Sequence, residues 1–140
     1  MTDIEFPRMR MNVLYNLRSL SSAKYQAERW IRRERFGSFG EVIHALFDDS
    51  GFDNGTRNSI GRLLFDEEEA DGITGVMGLI DNLFAKYGKR LSDAEYIAKP
   101  EWPAIMEAAR EALEIMKRND ARFMISQERQ QLYSDFNIEF

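Results

Sequence analysis

The chain has 140 residues, 44% of them hydrophobic, and a formal net charge of −5, which suffices for one core and is too little for two ordinary domains. The absence of cysteine excludes disulfides, thiolate metal sites and cysteine nucleophiles. The apolar runs are too short to span a bilayer, and the first ten residues, charged from Asp3 onward, hold no apolar signal region, so a cytoplasmic protein is expected.

Charge is unevenly spread. Residues 1–36 carry a net +4, residues 37–95 a net −7 and residues 96–140 a net −2. An acidic middle argues against general nucleic-acid binding and for solubility or a basic partner.

Phe6, Met9, Val13, Leu17 and Leu20 mark one face of a first helix over residues 8–20, with Pro7 near its start. Ser21 or Ser22 can cap a second helix running to about Arg35, with Ala23, Ala27, Trp30 and Ile31 inward. Its other faces carry Lys24, Arg29, Arg32, Arg33 and Arg35, which read either as an anion surface or as a solvated face paired to the acidic middle. Gly37 and Gly40 bracket the next start. Ser38 is a possible cap there, and Phe39, Val42, Ile43, Leu46 and Phe47 fit a third, short helix.

Residues 48–55, Asp-Asp-Ser-Gly-Phe-Asp-Asn-Gly, form the clearest loop. A calcium-loop register fails: starting from Asp49, Gly51 stands third, glycine falls one place late at Gly55, and Ile60 replaces the closing glutamate. Ile60, Leu63 and Leu64 suggest a brief helical turn. In Asp66-Glu67-Glu68-Glu69 the aspartate can cap a helix whose dipole favours the glutamates. Ile73, Val76, Met77, Ile80, Leu83, Phe84 and Tyr87 form its inward face. Gly72, Gly75 and Gly78 suggest either close packing or a true start near Gly75, and Gly88 is the expected terminator.

Ser92-Asp93-Ala94-Glu95 has capping-box spacing and opens a short segment with Tyr96 and Ile97 inward. Trp102, Ile105, Met106, Ala109, Ala112, Leu113 and Met116 then give a long helix from Pro100 to Arg118, with Pro103 in its first turn. Asn119 and Asp120 look like a junction into a last helix over residues 121–133. The alternating tail from Phe136 to Phe140 is expected to be extended and docked on the bundle.

No nucleophile, phosphate-loop, dinucleotide or zinc-protease motif occurs. The single histidine, His44, lacks ligands or a carboxylate at recognisable spacing, so no metal, cofactor or catalytic role is expected.

Tyr25-Gln26 followed by Trp30 and an Arg-rich turn, Asp93-Ala94-Glu95-Tyr96-Ile97, and Pro100-Glu101-Trp102-Pro103-Ala104 with Glu107-Ala108-Ala109-Arg110 resemble the recurrent pattern of a poorly characterised group of small bacterial helical proteins. In size, acidity and lack of cysteine or catalytic motifs the chain also resembles, in type, immunity proteins of contact-dependent growth inhibition and other polymorphic toxin systems. That resemblance implies a cytoplasmic protein that binds a cognate toxin domain and blocks its active site by setting carboxylates against a nuclease's basic surface.

The expectation is thus an all-α single domain of five to seven helices with an antiparallel central pair, Ile73 to Tyr87 against Trp102 to Met116. Its function would be non-enzymatic binding of a toxin through Asp48, Asp49, Phe52, Asp53, Asp66, Glu67, Glu68, Glu69 and Asp71. Two alternatives stand beside it. One is a regulatory or homodimeric module using the tail, and the other is a metal-dependent enzyme using His44 with the acidic loops.

Overall fold

A computed structural model describes residues 4–31 and 38–140. Helix α1 spans Pro7–Ser21. Helix α2 starts as Ala23–Tyr25 and widens into a π-helical turn, Gln26–Ile31, and α3 likewise runs Phe39–Ile43 and then His44–Asp49. Two 3-10 turns, Phe52–Asn54 and Thr56–Ser59, lead into α4 (Glu67–Tyr87), α5 (Asp93–Ile97), α6 (Trp102–Phe123) and α7 (Ser126–Asp135). Among the described residues there is no strand, only an isolated bridge between Ile60 and Leu64, so the expected all-α bundle is what folds.

The helix boundaries follow from local chemistry. Ser22, Ser38, Asp66 and Ser92 each accept a backbone N–H three residues on, and Ser92 with Glu95 completes the capping box. Gly88 ends α4 at φ +80°, donating its N–H to the Phe84 carbonyl. Because Asp66 already satisfies the Glu69 N–H, α4 begins at Glu67 and not near Gly75. Gly72 is the glycine with a packing reason, since a Cβ there would stand 3.5 Å from that of Ala112 on α6.

α4 and α6 are antiparallel: Glu68 pairs with Arg118 at one end, and Lys86 reaches Glu101 at 2.8 Å at the other. The apolar face of α6 is buried as expected, with Trp102 1% exposed and its indole N–H donating to Gln26 Oε1 (3.1 Å). That assigns Trp102 to packing. However, α1 packs on α6 as extensively as α4 does, so α6 lies between two neighbours.

Three expectations change. In α2, which widens into a π turn from Gln26, the buried set is Tyr25, Gln26 and Trp30, with Ala23, Ala27 and Ile31 exposed. In α1, Met9 is 40% exposed and Arg10 is buried beside it. Finally, α6 runs through Asn119 and Asp120 to Phe123 instead of breaking there, because both side chains are buried partners of other helices.

Those partners converge on Arg10, which has 0% exposure. Nε donates to Asp120 Oδ1 (2.8 Å), Nη1 to Glu69 Oε1 (2.7 Å) and the Leu63 carbonyl (3.0 Å), and Nη2 to Glu69 Oε2 (2.8 Å) and the Met116 carbonyl (3.2 Å). Every N–H of the guanidinium is used. Glu69 also accepts the Phe65 N–H and the Asn119 amide, and Asp120 accepts the Tyr133 hydroxyl. Phe65 lies under the cation, 4.4 Å from ring centroid to guanidinium carbon. α1, α4, α6 and α7 are thereby joined at one point.

One cation cannot neutralise two carboxylates fully, and Glu69 holds it in bidentate geometry. Desolvation therefore raises the Asp120 carboxyl above its ordinary value, against the pull of Arg10 and Tyr133 and with added repulsion from Glu69. Burial likewise raises the Tyr133 hydroxyl, which stays a donor.

Arg10→Met leaves two buried carboxylates uncompensated and should cost about 3–5 kcal/mol by urea unfolding. Adding Glu69→Leu and Asp120→Leu should recover part of that loss. An Arg10→Met protein within about 1 kcal/mol of wild type would mean the cluster carries no structural weight.

A carboxyl raised on folding stabilises most when protonated, so its contribution is lost as pH rises through the folded value. The stability of wild type relative to Asp120→Asn should therefore fall with rising pH across the acid range, as followed by urea unfolding. A rise would show that Arg10 dominates Asp120 instead.

Candidate functional site

The loop after α3 is held from below. Phe52, with 2% exposure, is a core residue, while Gly51 at φ +77° and Gly55 at φ +105° adopt left-handed turns that a side chain would strain. The Ser50 hydroxyl donates to the Leu46 carbonyl (2.7 Å) and accepts the Phe52 N–H (3.2 Å). Asp53 stays exposed on this anchored backbone, while Asp48 and Asp49, expected on the loop, are exposed on the π-helical turn that ends α3, because the helix runs two residues further than the turn-forming composition implies. The structure thus corrects the expectation for Phe52, whose ring pins the loop and is not available to a partner.

Two hollows meet on this side. One, of about 300 Å³, runs between Phe6 and Met9 on one side and residues 48–51, Asn54, Asn58 and Arg62 on the other. The second, of about 260 Å³, lies between α1 and Ala45, and it shares Met9, Asp49 and Ser50 with the first. Met9 and Asp49 therefore stand on the ridge of a single trough. Asp53 faces away from it, into a third hollow of about 380 Å³ bounded by Phe47, Met77, Gly78 and Asp81.

The remaining predicted acidic residues divide by partner. Asp66 spends one carboxylate oxygen on the α4 cap and the other on the Asn119 amide (3.0 Å). Asp71 pairs with Arg57 at 3.1 Å, Glu67 lies 3.6 Å from the same guanidinium, and Glu68 pairs with Arg118. Glu69 has 0% exposure, and this overturns its place on a binding edge. It faces inward one turn after the cap, where only the buried Arg10 can meet it. Asp49 and Asp53 have no hydrogen-bond or ion-pair partner among the described residues.

His44 is exposed, with Nδ1 2.8 Å from Asp48 Oδ2 one helical turn on. Among the described residues no group of three or more His, Asp or Glu is arranged to hold a metal ion. The basic stripe is seen only in part, because Arg32, Arg33 and Arg35 and the predicted end of the second helix lie outside the described residues. The C-terminal tail docks through Ile138, whose N–H donates to the Tyr133 carbonyl (2.9 Å), while Phe140 stacks on the Tyr133 ring. Among the described residues no helix is long and apolar enough to cross a membrane.

The sequence reading missed Met9 as a surface residue and Arg10 as a buried one. The available signal was a cationic residue inside the apolar run Met9 to Leu14, with Glu69 and Asp120 as distant acidic counterparts.

Residues 4–123 match the family described as a domain of unknown function, DUF7945, and the chain belongs to that family. No curated protein and no solved structure matches it. α7 and the tail lie beyond the matched residues, although Tyr133 completes the Asp120 carboxylate inside them.

Removing the ring that anchors the loop should be costly. Phe52→Ala is expected to lose about 3–5 kcal/mol in urea unfolding, whereas a loss under about 1 kcal/mol would mean that the loop is held by its backbone alone.

Proposed function

We propose that this member of the DUF7945 family is a cytoplasmic, non-enzymatic binding protein of immunity type, which neutralises a basic toxin domain by stoichiometric contact. The observation that carries this reading is the pairing of uncommitted carboxylates with an anchored loop. Asp49 and Asp53 are exposed and unpaired among the described residues, and the ring of Phe52 fixes the backbone between them. Charges held this way need little ordering on binding, which favours fast, oriented encounter with a positive surface.

Support comes also from the rest of the trough. Met9, an exposed and adaptable side chain on its ridge, offers apolar contact that tolerates varied partner shapes. Asp48 adds a third carboxylate on the same turn, shared with His44. Glu67, Glu68 and Asp71 contribute less field, because Arg57 and Arg118 stand beside them. The contact surface is accordingly narrowed to Asp48, Asp49 and Met9 on the trough, with Asp53 on the adjoining face of the loop.

The test uses a toxin domain encoded next to this chain's gene. Reversing Asp48, Asp49 and Asp53 to lysine should slow association about 10- to 100-fold at low salt and flatten its ionic-strength dependence, with stability unchanged. It should also abolish growth rescue on co-expression. Unchanged association and rescue would remove this surface, and failure of the wild type to bind any neighbouring toxin would remove the immunity reading.

A further inference from the structure

At the corner between α1 and α2, two arginines and two tyrosines meet. α1 supplies Tyr15 and Arg18, and α2 with its π turn supplies Tyr25 and Arg29. The tyrosine rings meet edge to face with centroids 5.9 Å apart, and their hydroxyls are hydrogen-bonded to each other. The Arg18 guanidinium carbon lies 5.2 Å from the Tyr15 centroid and 5.4 Å from that of Tyr25, and Arg29 lies 5.3 Å from Tyr25.

Stacking on aromatic faces restrains a guanidinium while leaving its N–H edge available to an acceptor. Neither cation has a carboxylate partner among the described residues. Arg18 donates through Nη1 to the Asn137 carbonyl (2.7 Å), and the Arg29 side chain makes no hydrogen bond among the described residues. Arg62 and Arg122 also stack on single rings, those of Phe6 and Phe123, but at this corner two guanidiniums share one pair of rings.

The hydroxyl pair adds a neutral donor. One O–H is spent on the other oxygen, and the second remains for an outside acceptor. Burial, reinforced by the bond to Tyr15, pushes the Tyr25 hydroxyl up to about 12, so it keeps its proton at neutral pH.

We infer that this corner binds one phosphate group of a small molecule, through the guanidinium edges of Arg18 and Arg29 with the spare tyrosine hydroxyl as a third donor. Guanidinium N–H edges and a hydroxyl suit a tetrahedral oxyanion. The net charge of −5 opposes a long polyanion such as nucleic acid, whose neighbouring phosphates would meet an acidic surface.

The experiment is an NMR titration of the full chain with inorganic phosphate and, separately, with adenosine monophosphate, at constant low ionic strength against chloride. Saturable shifts are expected at the amides of Tyr15, Arg18, Tyr25 and Arg29, and at Ile138, which follows the Asn137 carbonyl shared by Arg18. Affinity should fall about tenfold in Arg18→Gln and in Arg29→Gln, with α4 and α6 resonances unmoved. Arg29→Gln leaves the tail contact intact, so loss there cannot be blamed on the C-terminus. Equal affinity for the two probes would identify the phosphate group alone as the ligand chemistry, and tighter binding of the nucleotide would identify a phosphate carried on a larger molecule. No saturation with either probe, or binding that survives both substitutions, would overturn the site. So would a short DNA duplex binding the same residues more tightly than either small probe.

Discussion

Arg10 is the constraint on which the rest of the structure depends. A guanidinium with no access to water must find acceptors for all its N–H groups, and here they come from α4, α6 and the Leu63 turn around α1. Apolar faces on three helices would pack in many rotations and offsets. A fork that needs Glu69 on both its Nη atoms and Asp120 on Nε accepts one offset for each pair of helices. Burial of this kind adds modest net stability once its desolvation cost is met, and the fork geometry restricts which arrangement the helices reach. The same cluster explains why α6 continues past Asn119, and why α7 returns to place the Tyr133 hydroxyl on Asp120.

This constraint also divides the carboxylates. Those at the cap and first turns of α4 are drawn into the fold: Glu69 into the core, Asp66 into a cap, and Glu67, Glu68 and Asp71 into exposed ion pairs. At the end of α3 and on the loop after it, Asp48 stands against His44, and the side chains of Asp49 and Asp53 have no partner among the described residues. The acidity of residues 37–95 therefore divides in two, and the part left exposed without a partner among the described residues is the smaller one. The positive N-terminal part divides similarly, with Arg10 buried and Arg18 and Arg29 stacked on tyrosines with no carboxylate partner among the described residues.

Much of the fold was legible because it rests on local rules. The caps at Ser22, Ser38, Asp66 and Ser92, the stop at Gly88, and the apolar faces of α4 and α6 all follow from spacings within a few residues. What could not be read locally was set across the bundle. Glu69 resembles its neighbours Glu67 and Glu68 in sequence, and only the rotation of α4 against Arg10 separates it from them. Phe52 sits among turn formers, yet the turn folds its ring under the loop and into the core. In α2, which widens into a π turn from Gln26, the buried face is Tyr25, Gln26 and Trp30, and Ala23, Ala27 and Ile31 lie off it. For the candidate site, the loop and its aspartates were legible, and Met9 was not, because its exposure follows from the burial of Arg10 next to it.

Native-state hydrogen exchange in increasing denaturant tests the central claim most directly, since it reports the opening energy of each amide separately. The Phe65 N–H, which donates to Glu69 Oε1 at 2.9 Å, reports on the Arg10 cluster, and the Phe52 N–H, which donates to the Ser50 hydroxyl at 3.2 Å, reports on the loop. If the cluster fixes the bundle and the loop is a separate surface element, Phe65 exchanges only with global unfolding and Phe52 through a smaller, local opening. Exchange of Phe65 at the lower energy of the loop, with the helices still folded, would contradict the account.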